Sequence, residues 1–393
     1  MWLGMYGRAR RTVPLSGTRL VQPSSAPLWS LRESIPVPLC QRVCVGGEYP
    51  MSAPSGPTDV IWDMTYSCPL RCVHCYSESG RRPSRQLDHA GILRVADALI
   101  SLRPLGIALT GGEPLLVKGL LDVAERIAGA GIPVLLYTSG WNVDQALAAD
   151  LLGAFHRIAV SLDGATAEVH DRIRGRARSF ERAIRTLTLL DEASHDLSVR
   201  GRGIAAFGID CSLMRSNIHQ LEAFCTDITP RFPAIRHLIF GVTVPSGLAN
   251  RAGFAERELL DDDQIRDVAS PGRLAHLRSL APDTVDVSVE DNRMLLMHPD
   301  DLAKGRSLPA LQVEPDGAVR AMPIYEGTVG NILDEDPSVL WRRALARRSH
   351  PFVVETLTPV RTMREWAQAA RRIDQYFGTA EDRARIDRRP AYH

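Results

Sequence analysis

The chain reads as an α/β protein built on a parallel sheet. Short apolar runs recur six times between residues 59 and 243, and helical segments alternate with them. Strands that alternate with helices pair in parallel through right-handed crossovers. Periodicity alone leaves open whether such a sheet closes into a barrel.

The 393 residues, 45% hydrophobic and 24% charged, suit one large domain plus a smaller one. The balance of 47 basic and 46 acidic residues leaves a net charge of +1, so no global electrostatic case exists for nucleic acid or a membrane surface as partner. The basic run 172–178 reads as a solvated face. No stretch reaches the roughly 18 uninterrupted apolar residues that a membrane span needs, and a soluble protein is expected. Seven cysteines, an odd number with three inside eight residues, argue for a reducing compartment, the cytoplasm by default.

Residues 1–57 are rich in Arg, Pro, Ser and Gly and hold no period for long. They read as an irregular, unstructured extension, or as the product of a start placed too early, with Met51 as the alternative beginning. Arg10 and Arg11 precede no apolar segment, so no export signal is read here. Cys40 and Cys44 are a partial metal pair or two incidental thiols. The strands follow over 59–65, 106–110, 133–138, 157–162, about 203–214 and 237–243. The helices between them are expected from Asp88, an N-cap with Ile92, Val95, Ala96, Leu99 and Ile100 at helical spacing, then over 116–129, 143–152 and 179–193, with one more before the sixth strand. Residues 251–310 read as a connecting helical region. Asp316-Gly317 marks a hairpin turn, residues 338–377 read as helical with aromatics used for packing, and the charged tail from about 380 reads as frayed.

The chemistry centres on Cys68, Cys72 and Cys75, spaced by three and then two residues just after the first strand. Three thiols in so short a loop cannot pair off evenly, but they can reach three irons of a cubane cluster. The fourth iron would then be open to a ligand, as an open zinc position is in a catalytic site. A zinc knuckle with His74 as fourth ligand, or three incidental buried thiols, are the competing readings. Thr110-Gly-Gly-Glu-Pro114 ends the second strand, where barrel enzymes build their sites. Its paired glycines permit close backbone approach, and Glu113 offers a carboxylate to an ammonium group. In the fifth strand, alternation sets Asp210 and Ser212 on one face and Cys211 on the other, so that Cys211 reads as a structural thiol, with hydrogen-atom donor as the sharper alternative. Cys225 reads as structural too.

Together these motifs resemble the radical S-adenosylmethionine (SAM) enzymes. The resemblance spans about residues 59–335, and its CxxxCxxC signature is carried here by Cys68, Cys72 and Cys75. It implies a partial (β/α)6 TIM-type barrel over residues 58–250, one [4Fe-4S] cluster on the three cysteines, and SAM on the open iron. It also implies SAM contacts at Gly111, Gly112 and Glu113, and at Ser139, which replaces the asparagine of a Thr-Asn-Gly motif. Ser161, Asp163 and Arg174 match the SLDG…HDxxRG block of the branch that holds pyrroloquinoline-quinone and anaerobic sulfatase maturases, an arginine fork being suited to the SAM carboxylate.

The segment from Val313 to Ile332 is similar to the SPASM or twitch domain, which implies a small degenerate domain of that type over 311–393. Met322 stands where relatives have a cysteine, and no cysteine follows Cys225, so its auxiliary clusters are expected to be absent. The resemblance implies reductive cleavage of SAM to a 5′-deoxyadenosyl radical and hydrogen abstraction, with a flavodoxin or ferredoxin as electron donor. A ribosomally made precursor peptide is the first substrate expectation. A small metabolite of an antibiotic or cofactor pathway is the second, and a non-catalytic scaffold is a remote third.

Overall fold

The computed structural model describes residues 56–199, 204–305 and 309–393; Cys40, Cys44, Met51 and the rest of the extension before residue 56 lie outside them. The six expected strands form as β1 (Asp59–Asp63), β2 (Gly106–Thr110), β3 (Val134–Thr138), β4 (Arg157–Ser161), β5 (Ala206–Leu213) and β6 (His237–Val242). They lie side by side in chain order, all parallel, as an open sheet. Trp62, Leu109, Leu136, Ile158, Phe207 and Leu238 place one buried side chain from each strand in the main core.

Between the strands run α1 (His89–Ser101), α2 (Leu120–Gly129), α3 (Gln145–Ala154), α4 (Ala167–Arg174) and α5 (Ser179–Val199). Asp88 caps α1 by accepting from Gly91 N at 2.7 Å, and Ile92, Val95, Ala96 and Leu99 bury one stripe of it. The expected helix over 116–129 is divided. Pro114–Leu116 forms a single 3-10 turn, and α2 starts only after Gly119, whose φ of 85° breaks the path. Before β6 the expected helix is a series of irregular turns over 218–231. Pro230 has no N–H to give, and Thr229 N bonds five residues back to Phe224 O, so the α-helical ladder is lost there.

Two differences from expectation lie beyond residue 250. Residues 251–310 carry α6 (Asp262–Val268) and α7 (Pro271–Leu280), but also a strand, β7 (Asp286–Glu290), which pairs in parallel with β6. The hairpin made by β8 (Ala310–Val313) and β9 (Ala318–Arg320), followed by β10 (Thr328–Asn331), joins the same sheet. β8 lies parallel to β1 with Asp59 opposite Ala310, so the sheet order is β10-β9-β8-β1-β2-β3-β4-β5-β6-β7. Pairing partners this far apart in sequence leave no local signal. The Asp316-Gly317 turn forms as read, with Gly317 at φ 86°.

The C-terminal helices are α8 (Pro337–Arg348), α9 (Pro351–Leu357), α10 (Met363–Phe377) and α11 (Ala380–Asp387). The tail expected to fray is folded instead. A reciprocal capping box between Thr379 and Asp382 starts α11, and Tyr392 N donates to Ala252 O at 2.8 Å. Its arginines looked solvated because the carboxylates that bury them come from elsewhere in the chain: Arg385 and Arg389 both reach Glu78. No described helix is long and apolar enough to cross a membrane.

Candidate active site

The C-terminal ends of β1 to β5 converge on one cavity. Cys68, Cys72 and Cys75 line it together with Gly111, Gly112, Ser139, Ser161 and Arg174, so most of the residues singled out in the sequence meet there. Among the described residues no three His, Cys, Asp or Glu side chains sit close enough to hold a single metal ion. A cluster differs in this respect, because it offers each thiolate an iron of its own.

The cysteine loop is held to the sheet ends mainly by backbone. Gly112 N donates to Thr65 O at 2.6 Å and Glu113 N to Ser67 O at 2.9 Å. A Cβ on Gly112 would stand 2.2 Å from Ser67 O, and one on Gly111, at φ 120°, 2.6 Å from Thr65 O. The paired glycines thus serve first to let the β2 turn press against the cysteine loop. The loop's far side is tied by Arg71 N to Arg174 O at 3.0 Å and by Leu248 N to Cys75 O at 3.0 Å.

Burial pushes the Cys68 thiol up to about 12, against the Leu70 N–H that donates to its sulfur. Burial likewise pushes Cys72 up to about 11, with the Arg174 guanidinium, 3.9 Å from the sulfur, pulling the other way. Burial thus outweighs Arg174 and favours the protonated thiols, so binding of iron by Cys68 and Cys72 must release protons. Arg174 pairs with the fully buried Asp163, Nε to Oδ2 at 2.6 Å. Burial opposes the Asp163 charge, but Arg174, then His74 at 3.7 Å and His170, hold its carboxyl below the usual range. His74 lines the cavity and is held neutral by burial, which lowers it to about 4.

Glu113 and Asp163 do not line the cavity; both lie behind it. Glu113 accepts from Thr138 Oγ1 at 2.7 Å, from Ser139 N at 2.8 Å, from Ser139 Oγ and from Leu115 N at 3.1 Å. Its carboxylate orients the end of β3, and burial still pushes it up despite these donors. Cys211 is also absent from the cavity wall. It is fully buried in the core, while Asp210 and Ser212 on the opposite face of β5 reach the cavity. Cys225 is in the core as well, and so is Met322.

Three further cavity residues, Tyr76, Tyr137 and Asp210, carried no assignment in the sequence reading. Tyr76 donates to Asp63 Oδ1 at 2.5 Å, and Gln312 of β8 donates to Asp63 Oδ2 at 2.9 Å, which fastens the C-terminal hairpin beneath the cysteine loop. Strand alternation was the available signal for Asp210; Tyr137, in β3, lies two residues before Ser139, which follows the end of that strand, and both line the cavity.

This fold and site define a class. Residues 62–202 match the model of the Radical SAM superfamily, and this part of the chain is a radical SAM domain. Enzymes of that superfamily use a [4Fe-4S] cluster and SAM. Mycofactocin maturase MftC of Mycolicibacterium smegmatis is 31% identical over 169 residues, which cover 43% of this chain and 41% of that one. The AdoMet-dependent heme synthase of Methanosarcina barkeri is 31% identical over 195 residues, covering 49% of this chain and 52% of its own. The chain therefore spans only about half, or less, of the length of these curated relatives. In fold it is similar to Streptococcus suis SuiB in the structure bound to precursor peptide SuiA, with a TM-score of 0.55 at 12% identity, covering 78% of this chain and 68% of SuiB.

Proposed function

We propose that this chain is a radical SAM enzyme that modifies a ribosomally made precursor peptide. The observation that carries the chemistry is the convergence of three thiols from one short loop with strand-end polar groups on a single cavity. The donor set fits the implied cofactors: three soft ligands for one [4Fe-4S] cluster, and beside them an arginine already paired with a buried carboxylate. Bound together, the cluster and SAM supply a one-electron cleavage that yields a 5′-deoxyadenosyl radical able to abstract a hydrogen atom from carbon.

In this reading Cys68, Cys72 and Cys75 hold three irons. Arg174 and Ser161 receive the SAM carboxylate, and Asp163 fixes the Arg174 fork. The backbone of Gly111 and Gly112, with Ser139, holds the methionyl end, and Glu113 acts by orienting Ser139 and Thr138. Cys211, buried behind β5, serves packing rather than hydrogen donation. Residues 58–250 act as the catalytic core, and the 311–393 region as its C-terminal support. A peptide substrate is favoured over a small metabolite by the likeness to MftC, named a maturase, and by the SuiB fold, seen with a precursor peptide. The proposed setting is the cytoplasm, with a flavodoxin or ferredoxin as reductant.

The test is 5′-deoxyadenosine formation from SAM by anaerobically reconstituted protein with dithionite. About four irons per chain and steady product are expected. Cys72→Ala should stay folded and lose both the brown chromophore and the product; cleavage at the wild-type rate by that variant would overturn the proposal.

A further inference from the structure

Four arginines surround the outer face of the cysteine loop without an ion-pair partner among the described residues. Arg71 spends its guanidinium on Cys68 O and Leu70 O, at 3.1 and 2.7 Å. Arg81 reaches Arg71 O at 2.9 Å and Cys72 O at 3.5 Å. Arg176 and Arg182 lie over the Trp141 ring, 5.2 and 4.1 Å from its centroid. That ring packs in turn with Leu70 and Cys72 in a small apolar cluster flanked by Cys68 and Cys75. The positive charge therefore sits on the loop and on the Trp141 ring that packs against it, one side-chain layer from the thiols. The nearby carboxylates are engaged elsewhere: Glu168 is 3.9 Å from Arg172, Glu181 is taken by Arg178 at 2.8 Å, and Asp171 accepts from Arg178 N, Ser179 Oγ and Phe180 N.

A net charge of +1 makes such a patch local rather than a general property of the surface. Long-range nucleic-acid binding would need a basic stripe, whereas this patch is confined to one loop, the α4–α5 turn and the first turn of α5. We infer that it is the docking surface of a small acidic one-electron carrier protein of the flavodoxin class. The inference rests on the radical SAM reading, which requires one electron per SAM cleaved. The donor is oxidised by one electron and the cluster held by the three cysteines is reduced by one, with no bond or proton exchanged between the two proteins. Complementary charge would steer the carrier to the face where that transfer is shortest.

The experiment titrates oxidised flavodoxin against the full-length reconstituted protein and reads complex formation by flavin fluorescence at 50 and 200 mM salt. Wild-type affinity should fall several-fold across that salt range. Arg176→Glu/Arg182→Glu should weaken binding by about tenfold or more, while Arg94→Glu/Arg364→Glu, an equal charge change at exposed positions elsewhere, should leave it within about twofold. Flavodoxin-driven 5′-deoxyadenosine formation should fall in step, with the dithionite-driven rate unchanged in both variants. Equal affinity of the Arg176/Arg182 variant and wild type, or equal losses in the two variants, would overturn the inference. Absence of product with dithionite in every form would instead remove the radical SAM reading, and the binding titration would still judge the patch.

Discussion

Replacing Arg385 and Arg389 together by Met strips Glu78 of both its cations. In the folded protein Glu78 sits three residues beyond Cys75 at a φ of 53°, and its side chain is 6% exposed. Its Oε1 receives Arg385 Nη1, Arg389 Nη2 at 2.7 Å and Arg389 Nε at 3.1 Å. Glu326, the other carboxylate of this network, keeps Arg320 at 3.1 Å. The double variant therefore leaves one buried carboxylate uncompensated, which costs about 3–5 kcal/mol, a shift of more than about a hundredfold in the folding equilibrium. Because Glu78 N–H donates to Cys75 O, and Glu78 O accepts from Arg81 N, the loss should open the cysteine loop first. Urea unfolding of the iron-free protein measures the cost, and the fraction of chromophore regained on reconstitution measures the loop. Adding Glu78→Gln to the double variant removes the stranded charge and should recover about 2 kcal/mol or more. A triple variant no more stable than the double would place the cost in the lost arginine stems rather than in the buried charge, and this account of the tail would fail.

Two further outcomes test the base and the floor of the cavity. Gly112→Ala forces a Cβ against the Ser67 carbonyl, a backbone atom that no side-chain rotation can move aside, and should cost about 3 kcal/mol in urea unfolding; an unchanged midpoint would show that the cysteine loop yields freely. Burial first, then Glu290 and Asp163, push the Asp210 carboxyl up to about 7, against Arg157 and Arg174. A folded value raised above the ordinary 3.8 means that stability held at low pH is lost as pH rises through about 7. Asp210→Asn should flatten that decline between about pH 4 and 7 in thermal unfolding, and a parallel decline in the variant would assign it to other groups.

Much of this was legible because it is written locally. Strand and helix periods need only a dozen residues, so all six strands from β1 to β6 were readable, and the N-cap at Asp88 with them. The cysteine spacing and the Gly-Gly-Glu turn are equally local, and both lie at strand ends that the parallel sheet must bring to one edge. Beyond that range the reading failed in a consistent way. β7 and the pairing of the hairpin strand β8 with β1 were missed because such pairings are set by partners far off in the chain, and the charged tail was read as frayed because its carboxylate partner, Glu78, lies 307 residues before Arg385.

The sequence by itself determined the six-strand parallel core and the candidate metal-binding thiols with the Gly-Gly-Glu turn, since strand and helix periods and cysteine spacing are set within short stretches of chain. Only the tertiary structure decided the ranks within the site: Ser139, Arg174 and Asp210 at the wall, Glu113 and Asp163 behind it, Cys211 in the core, and the C-terminal helix clamped onto the loop. Those ranks depend on burial and on opposite charges met across the fold, and neither is a property of any single stretch of chain.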